Sequence, residues 1–308
     1  MNRIGIDFGG TKIEAAALDA SGAIVERLRT HNPGGYDAAI AAVVDLVAAV
    51  EAKAGPCASV GVGMPGSISP LTGRIRNANS VWLNGRNFGA DLDAALGRPV
   101  RLANDANCMA LSEAVDGAAA GAKVVFAAIL GTGCGGGIVI DGRLIEGANG
   151  IAGEWGHTPL PWPVDRYKAP TCWCGRTGCL ETYISGTAFE ADYQRATGRK
   201  RSAPLIMEDV RQGERWAKES FERYVDRLGR ALAVVADLLD PDVIVLAGGM
   251  SNVPELYDRA PDAVKTYVFS DIWTSRIVKA QHGDSSGVRG AAWLWPLEEI
   301  AERATATA

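Results

Sequence analysis

Short apolar runs broken by glycine open both halves of the chain. Residues 3–8 alternate and then fill with large apolar side chains, which predicts a strand; Gly9-Gly10-Thr11 turns it, and 12–18 and 24–30 predict two more strands. The order recurs at 123–130, 135–140 and 143–146, with Asp141-Gly142 supplying a hairpin turn between the last two. Helix and strand signals follow each meander. In the first half, 36–53 has helical apolar spacing, 59–64 is a short strand ending at Pro65-Gly66, and the strand 99–103 leads into a helix over 106–120. In the second half the matching signals are a long helix over 214–239 and strands at 242–246 and 276–280. A meander plus alternating βα units, present twice, predicts an α/β protein of two similar domains around a cleft. The expected bodies are 1–118 and 119–290, with a final helix, 287–303, in a segment 291–308 that packs back on the first; 158–171, rich in Pro and Trp, reads as an ordered excursion.

Composition narrows the class. With 31 basic and 36 acidic residues the net charge is −5, so there is no cationic field for a phosphate backbone, and nucleic acid is not expected as a partner. Asp45 and Asp237 interrupt the longest apolar helical stretches, so no membrane span is expected. The first predicted strand starts at residue 3, which leaves no room for a signal peptide, and a cytoplasmic location is the expectation. Three of the six cysteines crowd into Cys172-Trp-Cys174-Gly-Arg-Thr-Gly-Cys179; in a reducing compartment such spacing favours a metal over disulfides.

Four motifs carry chemistry. Asp7-Phe8-Gly9-Gly10-Thr11-Lys12 follows a strand, so small residues let backbone N–H groups approach phosphate while Asp7 acts on a metal through water; a plain glycine hairpin is the alternative. The run Gly131, Thr132, Gly133, Cys134, Gly135, Gly136, Gly137 satisfies Gly-x-Gly-x-x-Gly, yet it continues as a strand and hairpin instead of opening a helix, which points to a second phosphate-facing loop and not a dinucleotide fingerprint. A third glycine turn, Gly248-Gly249, ends a strand and suits a nucleoside pocket. Asn104-Asp105 stands where a strand meets a helix; a helix N-cap is the plain explanation, whereas an aspartate at a strand's carboxyl end also faces the ligand crevice of an α/β domain and can accept a hydroxyl proton. Finally, His157 with Cys172, Cys174 and Cys179 makes a Cys3His set suited to structural zinc, which would fix the neighbouring Glu154 and Glu181.

In this order the motifs resemble the ROK family of sugar kinases and sugar-responsive repressors, over nearly the whole chain. The resemblance implies an actin-like ATPase (ribonuclease-H-like) fold whose two domains close over sugar and ATP, with Mg accompanying the ATP and zinc bound in an insertion at 154–181. It implies Asp105 as general base, and Asn104, Glu154, His157 and Glu181, with Asn79 less directly, as sugar ligands. The phosphates and nucleoside would be held by Asp7, Gly9, Gly10, Thr11, Lys12, the 131–136 loop and Gly248-Gly249. Asn77–Gly85 and 283–290 look most like the fructokinase and mannokinase branch, so the expected reaction is phosphoryl transfer to the 6-hydroxyl of fructose, with mannose second. N-acetylglucosamine kinase and glucokinase are the alternatives within the enzymes. A repressor is the rival of another class; it would carry a DNA-binding segment before the first strand, where none is expected here. A homodimer is among the assemblies such a chain allows.

Overall fold

The computed structural model describes residues 1–162 and 168–300. The end of the expected final helix, 301–303, and part of the Pro- and Trp-rich excursion, 163–167, therefore lie outside the described residues. The chain's contacts divide it into two units, Met1–Ala120 with Gly142–Ala152 and Asp284–Ala308, and Gly121–Asp141 with Gly153–Gly283.

In the first unit β1 (Asn2–Phe8), β2 (Lys12–Leu18) and β3 (Ile24–His31) form the meander, α1 (Tyr36–Ala54) follows, and β4 (Cys57–Met64) returns beside β1. A two-stranded hairpin, β5 (Ser67–Ile68) with β6 (Ile75–Arg76), precedes α2 (Phe88–Leu96), β7 (Val100–Asn104) and α3 (Asp105–Val115). The sheet runs β3-β2-β1-β4-β7, antiparallel through the meander and parallel from β1 to β7.

The second unit has β8 (Val124–Leu130) and β9 (Cys134–Ile140), followed in the chain by β10 (Arg143–Leu144); then α4 (Glu181–Ile184), α5 (Gly186–Thr197), α6 (Ala203–Arg211), α7 (Arg215–Leu239), β11 (Val243–Ala247), α8 (Glu255–Lys265) and β12 (Arg276–Lys279). Its strand order β9-β8-β11-β12 repeats the β2-β1-β4-β7 of the first. One face of α7 supplies much of the core, where Phe221, Leu228 and Leu232 pack with Phe126, Leu130 and Leu246. Beside it the fully buried Tyr224 hydroxyl donates to the Ile184 carbonyl at 2.8 Å.

The central strands of the first sheet have two different faces. Ile4, Ile6 and Phe8, with Val60, Val62 and Met64, pack against Val43, Leu46, Val47 and Val50 of α1. On the other face Gly5 pairs with Gly61, and α9 (Ser286–Trp293) lies so close that a Cβ at either glycine would overlap the carbonyl of Val288 or Ala291. Gly290 meets the Cys108 carbonyl of α3 in the same way. The period-2 pattern thus sets large apolar side chains toward one helix and, at Gly5 and Gly61, bare backbone toward the other.

The contacts depart from the expected boundaries at two places. The segment 142–152, expected with the second body, groups with the first, where the Arg76 guanidinium donates to the Asn149 carbonyl at 2.6 Å. The first unit also takes in all of α9, not only the residues beyond 290. Two predicted elements are shorter than expected, α3 ending at Val115 and β10 holding two residues, and the expected final helix is broken, α9 ending at Trp293 and helix resuming over 297–300 after Pro296. Helices α2, α4, α5, α6 and α8 were not among the predicted elements.

Gly61→Ala is expected to destabilise the protein by about 3 kcal/mol or more, because the methyl meets main chain that cannot rotate away. A thermal melt beside wild type checks it; an unchanged melting temperature would show that α9 moves off the sheet without penalty.

Candidate active site

Asp7 ends β1 on the glycine face, and its carboxyl rests against the start of α9: a Cβ on Gly287 would lie 2.8 Å from Asp7 Cγ. Burial, and next the charge of Asp105, push the Asp7 carboxyl up to about 6, against the pull of Lys12 and Arg29. The following turn is held from the side by buried Asn32, whose amide donates to the Gly9 carbonyl at 2.7 Å. Gly9 donates its own N–H to the Lys12 carbonyl, so it is the amides of Gly10 and Thr11 that meet no acceptor among the described residues.

At the end of β7 the capping role falls to Asn104. Its side-chain oxygen accepts from Ala106 N–H at 2.9 Å, and its amide donates to the Gly66 carbonyl, also at 2.9 Å. Asp105 is therefore the first residue of α3, and from its exposed place in the first turn its Oδ1 shares the Ala106 N–H with Asn104, at 2.8 Å. Asn79 is exposed on a loop that the Asn84 side chain closes through two bonds to the Ala78 backbone.

In the second unit the 131–137 run joins β8 to β9 and opens no helix. Glu181 Oε2 accepts the Cys134 N–H at 3.0 Å, the Trp155 indole donates to the Gly135 carbonyl at 2.7 Å, and the Thr187 hydroxyl donates to the Thr132 carbonyl at 2.7 Å. Thr132 and Gly133 keep amides without an acceptor among the described residues. Gly248, at φ 79°, packs on this loop, since a Cβ there would lie 2.6 Å from the Leu130 carbonyl carbon. A cavity of about 470 Å³ opens beside the two turns, lined by Gly131, Thr132, Gly249 and Met250 and, from α5 and α6, by Glu190 and Met207. Its size suits a nucleoside. The side of it made by α5 and α6 is absent from the predicted elements, although Ser185, whose hydroxyl accepts from Ala188 N–H at 3.0 Å, is a helix-start signal legible in the chain.

The four expected metal donors come together. His157 Nδ1 and the sulfurs of Cys172, Cys174 and Cys179 all lie within 4.8 Å of one another, and no disulfide joins the cysteines. Cys172 Sγ is 3.7 Å from His157 Nδ1, and Cys174 Sγ is 3.6 Å from Cys179 Sγ. Thiolates about 2.3 Å from a tetrahedral ion stand about 3.8 Å apart, so the set fits such an ion. Trp173, exposed, packs edge-on against the His157 ring at 5.1 Å between centroids. Glu154 is exposed just before the helical turn Trp155–His157.

Residues 3–298 match the model of the ROK family. The chain belongs to the ROK family. An N-acetyl-D-glucosamine kinase of Pectobacterium atrosepticum is 42% identical over 299 residues, covering 94% of this chain and 97% of that protein. A further N-acetyl-D-glucosamine kinase, from Vibrio cholerae, is 40% identical over 94% of this chain and 98% of its own. Among solved structures, a ROK hexokinase from Thermus thermophilus superposes with a TM-score of 0.86 at 32% identity, covering 97% of this chain and 99% of that one. A ROK family glucokinase from Streptomyces griseus, in complex with glucose and AMPPNP, gives 0.74 at 30%, covering 95% and 98%. The protein is thus a ROK sugar kinase of actin-like ATPase fold. The relatives side with the expected alternative, N-acetylglucosamine, over the fructokinase branch suggested by Asn77–Gly85. No helix of the described residues is long and apolar enough to cross a membrane.

The Asp7 carboxyl makes a stability prediction. Unfolded, it ionises near its ordinary 3.8; folded, near 6, so between those values the native state keeps a proton that the unfolded chain has lost. Stability contributed by the neutral form is therefore lost as the pH rises through that window. Asp7→Asn is expected to match wild type near pH 4 and to exceed it by up to about 3 kcal/mol above pH 6. Denaturant melts across pH 4–7 check this; a stability difference independent of pH would remove the buried-carboxyl account.

Proposed function

We propose that this chain is an ATP-dependent N-acetyl-D-glucosamine kinase that transfers the γ-phosphoryl group to the sugar's 6-hydroxyl. The observation that carries the reading is the likeness to N-acetyl-D-glucosamine kinases along nearly the full length of both chains. Asp105, exposed at the end of β7, accepts the 6-hydroxyl proton while the sugar oxygen attacks the γ-phosphorus and the bond to the β,γ-bridging oxygen breaks, releasing ADP. The free amides of Gly10, Thr11, Thr132 and Gly133 suit phosphate oxygens, and the cavity beside Met207 and Met250 suits the nucleoside. Magnesium bound with ATP would neutralise charge on its phosphates, and half-buried Asp7 would hold it through water. Asn104, Glu154, His157 and Glu181 recognise sugar hydroxyls, with Asn79 as a further contact.

Zinc is the ion that best matches three thiolates and an imidazole, and its role here is structural, because four protein ligands leave no open position. His157 turns Nδ1 to the cysteines, which leaves Nε2 for a hydroxyl.

Kinase assays on N-acetylglucosamine, glucose, mannose and fructose should give the highest kcat/KM for N-acetylglucosamine; a higher value for fructose would overturn the substrate while leaving the kinase. Asp105→Asn should lower kcat about 10²–10⁴-fold with little change in melting temperature, since Asn104 already caps α3. Turnover near that of wild type would dismiss the proton-acceptor role. Purified wild type should carry about one zinc per chain and Cys174→Ser distinctly less, measured by elemental analysis; equal zinc content in the two would show that the cluster is not the site.

A further inference from the structure

We propose that Glu181 is a positioning residue for the nucleotide, holding the 131–137 loop in its phosphate-binding shape, an inference that rests on the reading of that loop as the phosphate cradle. Cys134 to Gly137 belong to β9 and are ordered by pairing with β8, whereas the turn Gly131-Thr132-Gly133 before them has little conformational preference of its own and takes its shape from the groups around it. The imposing groups come from the flanks of the Cys3His cluster. Glu181 stands two residues after Cys179, and Trp155 two before His157.

Glu181 acts where the turn enters β9. One carboxylate oxygen, Oε2, takes the Cys134 N–H at 3.0 Å and presses on the neighbouring residue so closely that a Cβ at Gly133 would lie 2.7 Å from it. The other, Oε1, lies 3.7 Å from Cys172 Sγ, so the carboxylate spans from the loop to a metal donor. Trp155 repeats the arrangement one residue on, its indole fixed to the Gly135 carbonyl, while Gly156 packs without a side chain against the Cys134 carbonyl. With these bonds made, the amides left over are those of Thr132 and Gly133, the two beside the Glu181 contact. A carboxylate that only recognised sugar would have no need of this bond.

The test measures nucleotide and sugar binding separately, on metal-loaded protein. Calorimetric titration with magnesium AMPPNP in the absence of sugar should show Glu181→Ala binding about tenfold or more weakly than wild type, the scale of a hydrogen bond to a charged group. Glu181→Gln keeps an oxygen able to accept the Cys134 N–H and should stay within about threefold. Hydrogen exchange of the 131–137 amides should be faster in Glu181→Ala and close to wild type in Glu181→Gln. Should Glu181→Ala fail to fold, Trp155→Phe removes the parallel bond to Gly135 and should also weaken AMPPNP binding and speed exchange in the loop. Loss of sugar affinity alone, with AMPPNP affinity and loop exchange unchanged, would overturn the proposal. Absence of AMPPNP binding by wild type would remove the reading of the loop itself, and the proposal with it.

Discussion

Helix α9 lies on the first sheet with no side chain between them at Gly5 and Gly61, and the arrangement of the first unit's site follows from that contact. Gly5 and Gly61, paired in register on the two central strands, present bare backbone, and the carbonyls of Val288 and Ala291 occupy the space that Cβ atoms would need. Because the helix is held at that distance, its first turn brings Gly287 against the Asp7 carboxyl. Its middle brings Gly290 against Cys108 and so settles α3, the helix that begins with Asp105. A side chain at any of these glycines would separate layers whose spacing sets the positions of both acids.

The same spacing accounts for the electrostatics. Asp7 is half-buried and has Asp105 for a neighbour, so its ionised form is disfavoured in the folded chain. A carboxylate kept under such strain gains from a cation, and the divalent ion that accompanies ATP supplies one. The buried Glu14 of β2 is handled differently, being paired with both Arg27 and Arg29. Of two acids near one turn, Glu14 is neutralised by arginines within the protein and the Asp7 carboxyl is raised instead.

In the second unit the glycine loop obtains order from its neighbours. Glu181, Trp155 and Thr187 hold three successive stretches of it, and the first two flank the Cys3His cluster in the chain. A small cluster of metal donors can fix such a segment, because the described residues of 154–181 are largely irregular, with few regular elements to hold them.

The meanders, the long helix α7, the three glycine turns and the Cys3His spacing were legible in the chain, because each depends on local periodicity or on ligand chemistry that tertiary context does not alter. Family and fold followed from the order of those motifs. Position along the chain could not separate Asn104 from Asp105 as the cap of α3, since both residues suit the role; the fold decided it by placing the Gly66 carbonyl where the Asn104 amide could reach it. The short helices α5 and α6 went unpredicted, and with them the side of the nucleoside cavity they form, because their apolar faces gain definition only against α7. Nor does the sequence mark Gly5 and Gly61 as different from a glycine in a turn. Their purpose exists only once a helix more than 200 residues away lies against them, and a contact between distant main-chain atoms leaves no local pattern to read.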